Sequence, residues 1–318
     1  MKLLDMHCDT ILECLIKNCG IRENNLHIDL NKLKKAGALG QFFAIWIPSG
    51  EAAEHYGVTG TPKELFYRMY DLYEAELKKN ADLILPALSY QDILDNEKAG
   101  KLSSILTIED STLLDGDLKV IDEVYDKGVR LMTLIWNYEN TLAYPNDPDN
   151  EIHMKGLKPF GIEAVEYMNK KGIIVDVSHL NEGGFYDVAK HSKKPFVASH
   201  SCARALSNES RNLTDDQLKT LGEKGGVVGV NFYSEFLVEK SMHTKTEDIV
   251  RHIDYMVDKA GIESVGLGTD FDGIDCTLEI ENYGMMDKLI SELQKKYSDD
   301  QLEKICSGNT LRIIKECL

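Results

Sequence analysis

Short apolar runs, each bounded by glycine, proline or polar clusters, recur along the chain at 3–6, 39–47, 104–108, 129–135, 173–177, 196–198, 227–231 and 264–268. Their length and β-branched content predict strands. Between most of them lie segments with helix signals. Thr61-Pro62-Lys63-Glu64 is a capping box with proline at the first helical position, and Thr214-Asp215-Asp216-Gln217 and Ser298-Asp299-Asp300-Gln301 repeat the device. Gly128, Gly172 and Gly261 each follow a helical stretch and precede a strand, where a helix-ending glycine belongs. Strands that are apolar throughout, alternating with helices, are parallel strands buried on both faces. Eight of them predict a (β/α)₈ TIM barrel. A doubly wound open sheet is the alternative, but no G-x-G-x-x-G follows any strand. No linker, repeat or low-complexity tract appears, so 1–318 is expected to form one domain, with an insertion around 50–101 between the second and third barrel strands. That insertion reads as a helix, a short apolar run at 83–88 and a second helix.

Composition narrows the partners. The chain carries 53 acidic against 36 basic residues, a net charge of −17. This disfavours nucleic acid and anionic membranes, both of which repel an acidic surface. One lysine and two apolar residues precede Asp5, so no signal peptide is expected, and no run of about 18 apolar residues predicts a membrane span. The seven cysteines (8, 14, 19, 202, 276, 306, 317) show no C-x-x-C spacing, the pattern of reduced thiols in a cytoplasmic protein.

The candidate chemistry lies at the ends of the strands. The first runs into His7-Cys8-Asp9, the third into Glu109-Asp110, the fifth into Ser178-His179, the sixth into Ser199-His200-Ser201 and the eighth into Thr269-Asp270-Phe271-Asp272-Gly273. In a barrel these C-terminal ends share one mouth, so residues 7, 9, 109, 179, 200 and 270 would converge there. Histidine and carboxylate together suit Zn²⁺ and similar divalent ions. In an extended chain His7 and Asp9 point to the same side and can grip one ion, leaving Cys8 to pack. Glu109 has two oxygens with which to bridge two ions, and His179 and His200 could complete the ligand set of the second ion. Two such ions can share a water, lower its pKa and polarise a carbonyl. Asp272 and Gly273 read as shaping the loop behind Asp270. His252 reads as a packing or hydrogen-bonding residue, and His27, His55, His153, His191 and His243 as solvated.

Over nearly its whole length the sequence resembles the membrane (renal) dipeptidase, or dehydropeptidase, family of zinc metallopeptidases. The resemblance rests on His7-Cys8-Asp9-Thr10, Ile108-Glu109, Gly172-Ile173-Ile174-Val175-Asp176-Val177-Ser178-His179, Ser199-His200-Ser201, Arg211-Asn212-Leu213-Thr214-Asp215, Gly266-Leu267-Gly268-Thr269-Asp270-Phe271-Asp272-Gly273 and Gly308-Asn309-Thr310-Leu311-Arg312. It implies that His7 and Asp9 hold one zinc, that Glu109 bridges, and that His179 and His200 hold the second. Mn²⁺ or Co²⁺ would fit the same donors. It further implies that Arg211 binds the substrate's C-terminal carboxylate, and that Asp270 binds the substrate amine and moves protons.

Two positions depart from the family. Animal members carry a histidine after the fourth strand that contacts the scissile carbonyl; here Trp136 stands there, and its indole N–H can donate a hydrogen bond. Asp110 stands where a glycine often follows the bridging glutamate, and its charge can orient a ligand. The reading is a cytoplasmic zinc dipeptidase acting on small dipeptides, with no nucleic-acid or membrane partner; the sequence leaves the subunit number open, a homodimer included. A related barrel amidohydrolase acting on a cyclic amide or ester is the near alternative, and a non-catalytic peptide- or metal-binding relative the distant one.

Overall fold

The computed structural model describes residues 1–318, the side chain of Asn150 excepted. Its strands are β1 Leu3–Asp5, β2 Ala38–Trp46, β3 Ile84–Pro86, β4 Leu102–Glu109, β5 Val129–Thr133, β6 Ile174–Asp176, β7 Val197–Ser201, β8 Val227–Val230, β9 His243–Thr244, β10 Val265–Leu267 and β11 Thr277–Leu278. β1, β2, β4, β5, β6, β7, β8 and β10 pair in parallel, and the β2–β4 pairing closes them into the expected barrel. Their apolar runs are buried, as parallel strands covered by helices require.

Inside the barrel the side chains change character along the strand axis. Leu4, Phe42, Ile105, Leu131, Ile174, Val197 and Val227, one from each of seven strands, form one buried cluster, and Ile313, Ile314 and Cys317 of the last helix, Asn309–Cys317, pack against it. Strand side chains alternate with period two. The next inward positions are therefore Thr133, Asp176, Ser199 and Gly229, and beyond Ile105 the same face leads through Thr107 to Glu109. The apolar end is plugged by the helix, and the polar end is the mouth.

The structure adds to and corrects several expectations. The run at 83–88 contains a true strand, β3, which pairs with the beginning of β4 outside the closed barrel. The predicted strand at 196–198 extends to Ser201, so Ser199 and His200 lie within β7, at an irregularity in its pairing with β8. A short parallel pair, β9–β11, lies apart from the barrel sheet. His153, expected to be solvated, is buried, with Nδ1 accepting from the Asp147 N–H at 3.3 Å. His27 is half-buried, with Nδ1 accepting from the Asp272 N–H at 2.9 Å.

Candidate metal centre and active site

Glu109 is the centre of the mouth. Its Oε2 lies 3.3 Å from His7 Nε2, while its Oε1 lies 2.8 Å from His179 Nε2 and 3.5 Å from His200 Nε2. His7 Nε2 also faces Asp9 Oδ2 at 3.2 Å and Asp270 Oδ1 at 3.8 Å. All six residues expected to converge do so. His7, Asp9, Glu109, His179 and His200 are buried, and Asp270 is partly open to the mouth.

The tautomers of two rings follow from their partners. Ser199 Oγ donates to Asp176 Oδ2 at 2.6 Å, so it can only accept from His200 Nδ1–H, at 2.8 Å. Asn137 Oδ1 accepts from His179 Nδ1–H at 2.9 Å. Both rings therefore present bare Nε2 lone pairs, 3.0 Å from each other and facing a carboxylate oxygen. Lone pairs converging in this way repel unless a cation lies among them.

The electrostatics agree. Burial and its neighbour Arg211 pull the His179 imidazole down to about 4, and burial with the nearby His7 holds His200 well below its ordinary value, so both stay neutral donors. Burial pushes Asp9 up to about 8 and Asp270 up to about 6, each opposed by His7. Glu109 is held well below the usual carboxylate range: burial acts against ionisation, but His7, His179 and His200 outweigh it. Asp9 Oδ1 is buried without a hydrogen-bond partner. A Cβ at Gly273 would lie 2.2 Å from Asp9 Oδ2 and 2.6 Å from Asp270 Oδ1, so only glycine lets that loop approach the two carboxylates. An orphaned carboxylate oxygen, bare imidazole nitrogens and a space closed to any side chain fit divalent metal ions.

The backbone is bent to this purpose. Asp110, His179, Asp270 and Asp272 all have positive φ, between 60° and 71°. Non-glycine residues in that region store of order 1–3 kcal/mol each. Asp110 itself touches no candidate metal donor: it accepts from Thr112 N–H and from Asn140 Nδ2–H, each at 3.0 Å, and so ties down the segment that follows β5.

Above the cluster opens a cavity of about 360 Å³ lined by Asp9, Glu109, His179 and Asp270, with Arg211 among its walls. The Arg211 guanidinium makes no ion pair or hydrogen bond among the described residues and sits 5.3 Å above the ring of Phe236. A model of the membrane dipeptidase family, peptidase family M19, matches residues 1–317. The chain belongs to this family. It is thus a metal-dependent dipeptide hydrolase, with a metal cofactor. A Klebsiella pneumoniae protein encoded in the pqqA 5′ region is 34% identical over 268 residues, covering 81% of this chain and 98% of that one. A dipeptidase of Schizosaccharomyces pombe is 31% identical over 305 residues, covering 92% and 73%. The crystal structure of a Rhodobacter sphaeroides metallopeptidase, liganded with a phosphinate mimic of L-Ala-D-Ala, superposes with a TM-score of 0.91 at 26% identity over 100% of this chain and 99% of that one.

Several site residues escape the sequence reading. Trp46, Asn137, Tyr233, Phe236 and Ile274 line the cavity of this dipeptidase, and Asn231 donates to Asp270 Oδ2 at 2.8 Å. Trp46 and Asn231 stand at strand ends, the very signal that picked out His7 and Glu109, but an aromatic side chain there reads as core. Trp136 does line the cavity, 6.0 Å from the His179 ring. The Asp272 side chain is buried and accepts from Thr10 Oγ1 at 2.6 Å and from His27 N–H at 2.6 Å, the loop-shaping role expected of it.

Proposed function

We propose that this chain cleaves dipeptides with two divalent ions held across Glu109, Zn²⁺ being the ion its mixed imidazole and carboxylate donors suit best, with Mn²⁺ and Co²⁺ as substitutes. The observation that carries the reading is the divided carboxylate of Glu109, one oxygen toward His7 and the other toward His179 and His200. His7 and Asp9 would hold one ion, His179 and His200 the other, and Glu109 both. When bound, the ions supply Lewis-acid activation of water and of the scissile carbonyl.

The chain's own residues supply the remainder. Arg211, with its donors free, would take both oxygens of the substrate's C-terminal carboxylate, which limits the substrate to two residues. Asp270, oriented by Asn231, would pair with the substrate ammonium, accept a proton from the attacking water and return it to the leaving amine. Trp136 would close the wall beside the scissile bond in place of the family histidine. A dipeptidase among the relatives, and a neighbour that binds a dipeptide mimic, support a two-residue substrate. A cytoplasmic setting without nucleic-acid or membrane partners, which the acidic charge of the chain favours, completes the reading.

Metal analysis combined with kinetics tests it. Glu109→Gln should lose both activity and metal, because it keeps the size but removes the charge between the two ions. Arg211→Ala should keep its metals while kcat/KM on dipeptides falls roughly tenfold to a hundredfold. Full turnover with two bound metals in Glu109→Gln, or efficient cleavage of amidated dipeptides by the unmodified protein, would refute the assignment.

A further inference from the structure

The cavity has two aromatic walls. One is Tyr233 with Phe236, ring centroids 5.1 Å apart, and Arg211 lies over Phe236. The other is built on Trp46 and Trp136, whose rings meet at 4.8 Å and 52°. Tyr56 braces Trp46 edge-on at 5.2 Å, and Tyr138 lies 5.7 Å from Trp136. Trp46 ends β2 at the register position directly beside Glu109 and is 6% exposed, so it is fixed by the barrel. Trp136 stands three residues past β5 and is half-buried. The segment that carries it is held by Asn140, which donates to Asp110 at 3.0 Å and to the Leu134 carbonyl at 2.9 Å.

A dipeptide has two side chains. With its carboxylate on Arg211, the second residue would meet Phe236 and Tyr233, and its peptide bond would reach over Glu109. The first residue then falls to the tryptophan wall. We propose that Trp136, braced by Trp46, determines specificity for the first residue, and that the preferred substrates are dipeptides whose N-terminal residue carries an aromatic side chain. The proposal rests on the dipeptidase reading and on the grip of Arg211. An indole at 136 offers a flat apolar face where an imidazole would offer a hydrogen-bonding edge. An aromatic ring buries that face by offset stacking, whereas a methyl group leaves most of it wet.

The two tryptophans are the only ones in the chain, and both line this cavity. Intrinsic tryptophan emission therefore reports on this wall directly. With the metal-loaded enzyme, Phe-Ala and Tyr-Ala should exceed Ala-Ala in kcat/KM by roughly tenfold to a hundredfold, while Ala-Phe gains less. Trp136→Ala should collapse the Phe-Ala to Ala-Ala ratio, mainly through KM, and Trp136→Phe should retain much of it. A non-hydrolysable phosphinate dipeptide mimic with a benzyl first side chain should shift the tryptophan emission of the unmodified protein at lower concentration than its methyl counterpart. Equal rates for Phe-Ala and Ala-Ala, a preference that follows the second residue, or a Trp136→Ala variant that slows both substrates by the same factor would each overturn the proposal. A metal-loaded protein that cleaves no dipeptide refutes the dipeptidase reading instead, and the emission titration then decides on the wall separately.

Discussion

His252 and His200 are both buried imidazoles, and their partners give them opposite uses. His252, in the helix Thr246–Ala260, accepts from the Ala203 N–H at Nδ1 and donates to the Leu237 carbonyl from Nε2, at 3.2 and 2.9 Å. Every polar atom of that ring is satisfied, so nothing remains for a metal. In His200 only Nδ1 is satisfied, and Nε2 is left bare toward Glu109. Burial pulls the His252 pKa to about 4. The folded state therefore keeps this ring neutral while the unfolded chain protonates near 6.5. The unfolded state binds the extra proton between those values, so the stability due to neutral His252 is present above pH 6.5 and is lost as pH falls toward 4. The full loss is on the order of 3 kcal/mol. Urea midpoints measured between pH 7.5 and 4.5 should fall less steeply for His252→Gln than for the unmodified protein; parallel curves would show that the ring titrates normally.

The strands shape the site as much as the side chains do. A Cβ at Gly268 would lie 1.8 Å from the Ser199 carbonyl oxygen, and one at Gly229 would lie 2.1 Å from the same atom. The backbone after β10 and that of β8 thus press against β7 just where its pairing is irregular and where His200 turns into the mouth. Bulged pairing beside an active site is a common way of re-aiming a side chain. Gly268→Ala has only backbone to collide with, so the strands themselves must move. It should cost about 3 kcal/mol or more in chemical denaturation, and it should weaken metal binding by displacing His200. Loss of stability with unchanged metal affinity would mean that β7 can yield without moving the histidine.

For the molecule as a whole, folding gathers Asp9, Glu109 and Asp270 into one mouth of a chain that already carries a net charge of −17. Like charges brought out of water repel more strongly than they do in the unfolded chain, and bound cations reverse the sign of that interaction. A ligand that binds only the folded state at 100 times its Kd adds about 2.7 kcal/mol of stability. Chelation should therefore lower Tm by several degrees, and Zn²⁺ restored in slight excess should recover it. In Glu109→Gln the same additions should move Tm much less. A Tm indifferent to chelator while metal analysis shows the ions gone would separate the site from the stability of the fold.

The barrel and the convergence of its candidate metal donors were legible in the sequence because both follow from chain-local rules. An apolar run buried on both faces betrays a parallel strand, and while one histidine or carboxylate at a C-terminal strand end has ordinary uses, several of them at the ends of different strands meet at the one mouth. Spacing along an extended chain gave His7 and Asp9 a common side before any partner was known. Arg211 and Trp136, and the role though not the position of Asp270, needed the family resemblance as well, since a lone arginine or tryptophan beside a strand end has many ordinary uses. Tertiary structure alone decided the rest. Trp46 reads as core until the β2–β4 register sets it beside Glu109. Asn137 reads as loop until it meets His179, and His153 as solvent-facing until it is enclosed near Arg204. Strand β3 reads as part of an insertion until it pairs with the first residues of β4, ahead of where β5 joins that strand. Each of these is a contact between distant segments, fixed by barrel closure and not by neighbours in sequence, and so no local pattern encodes it.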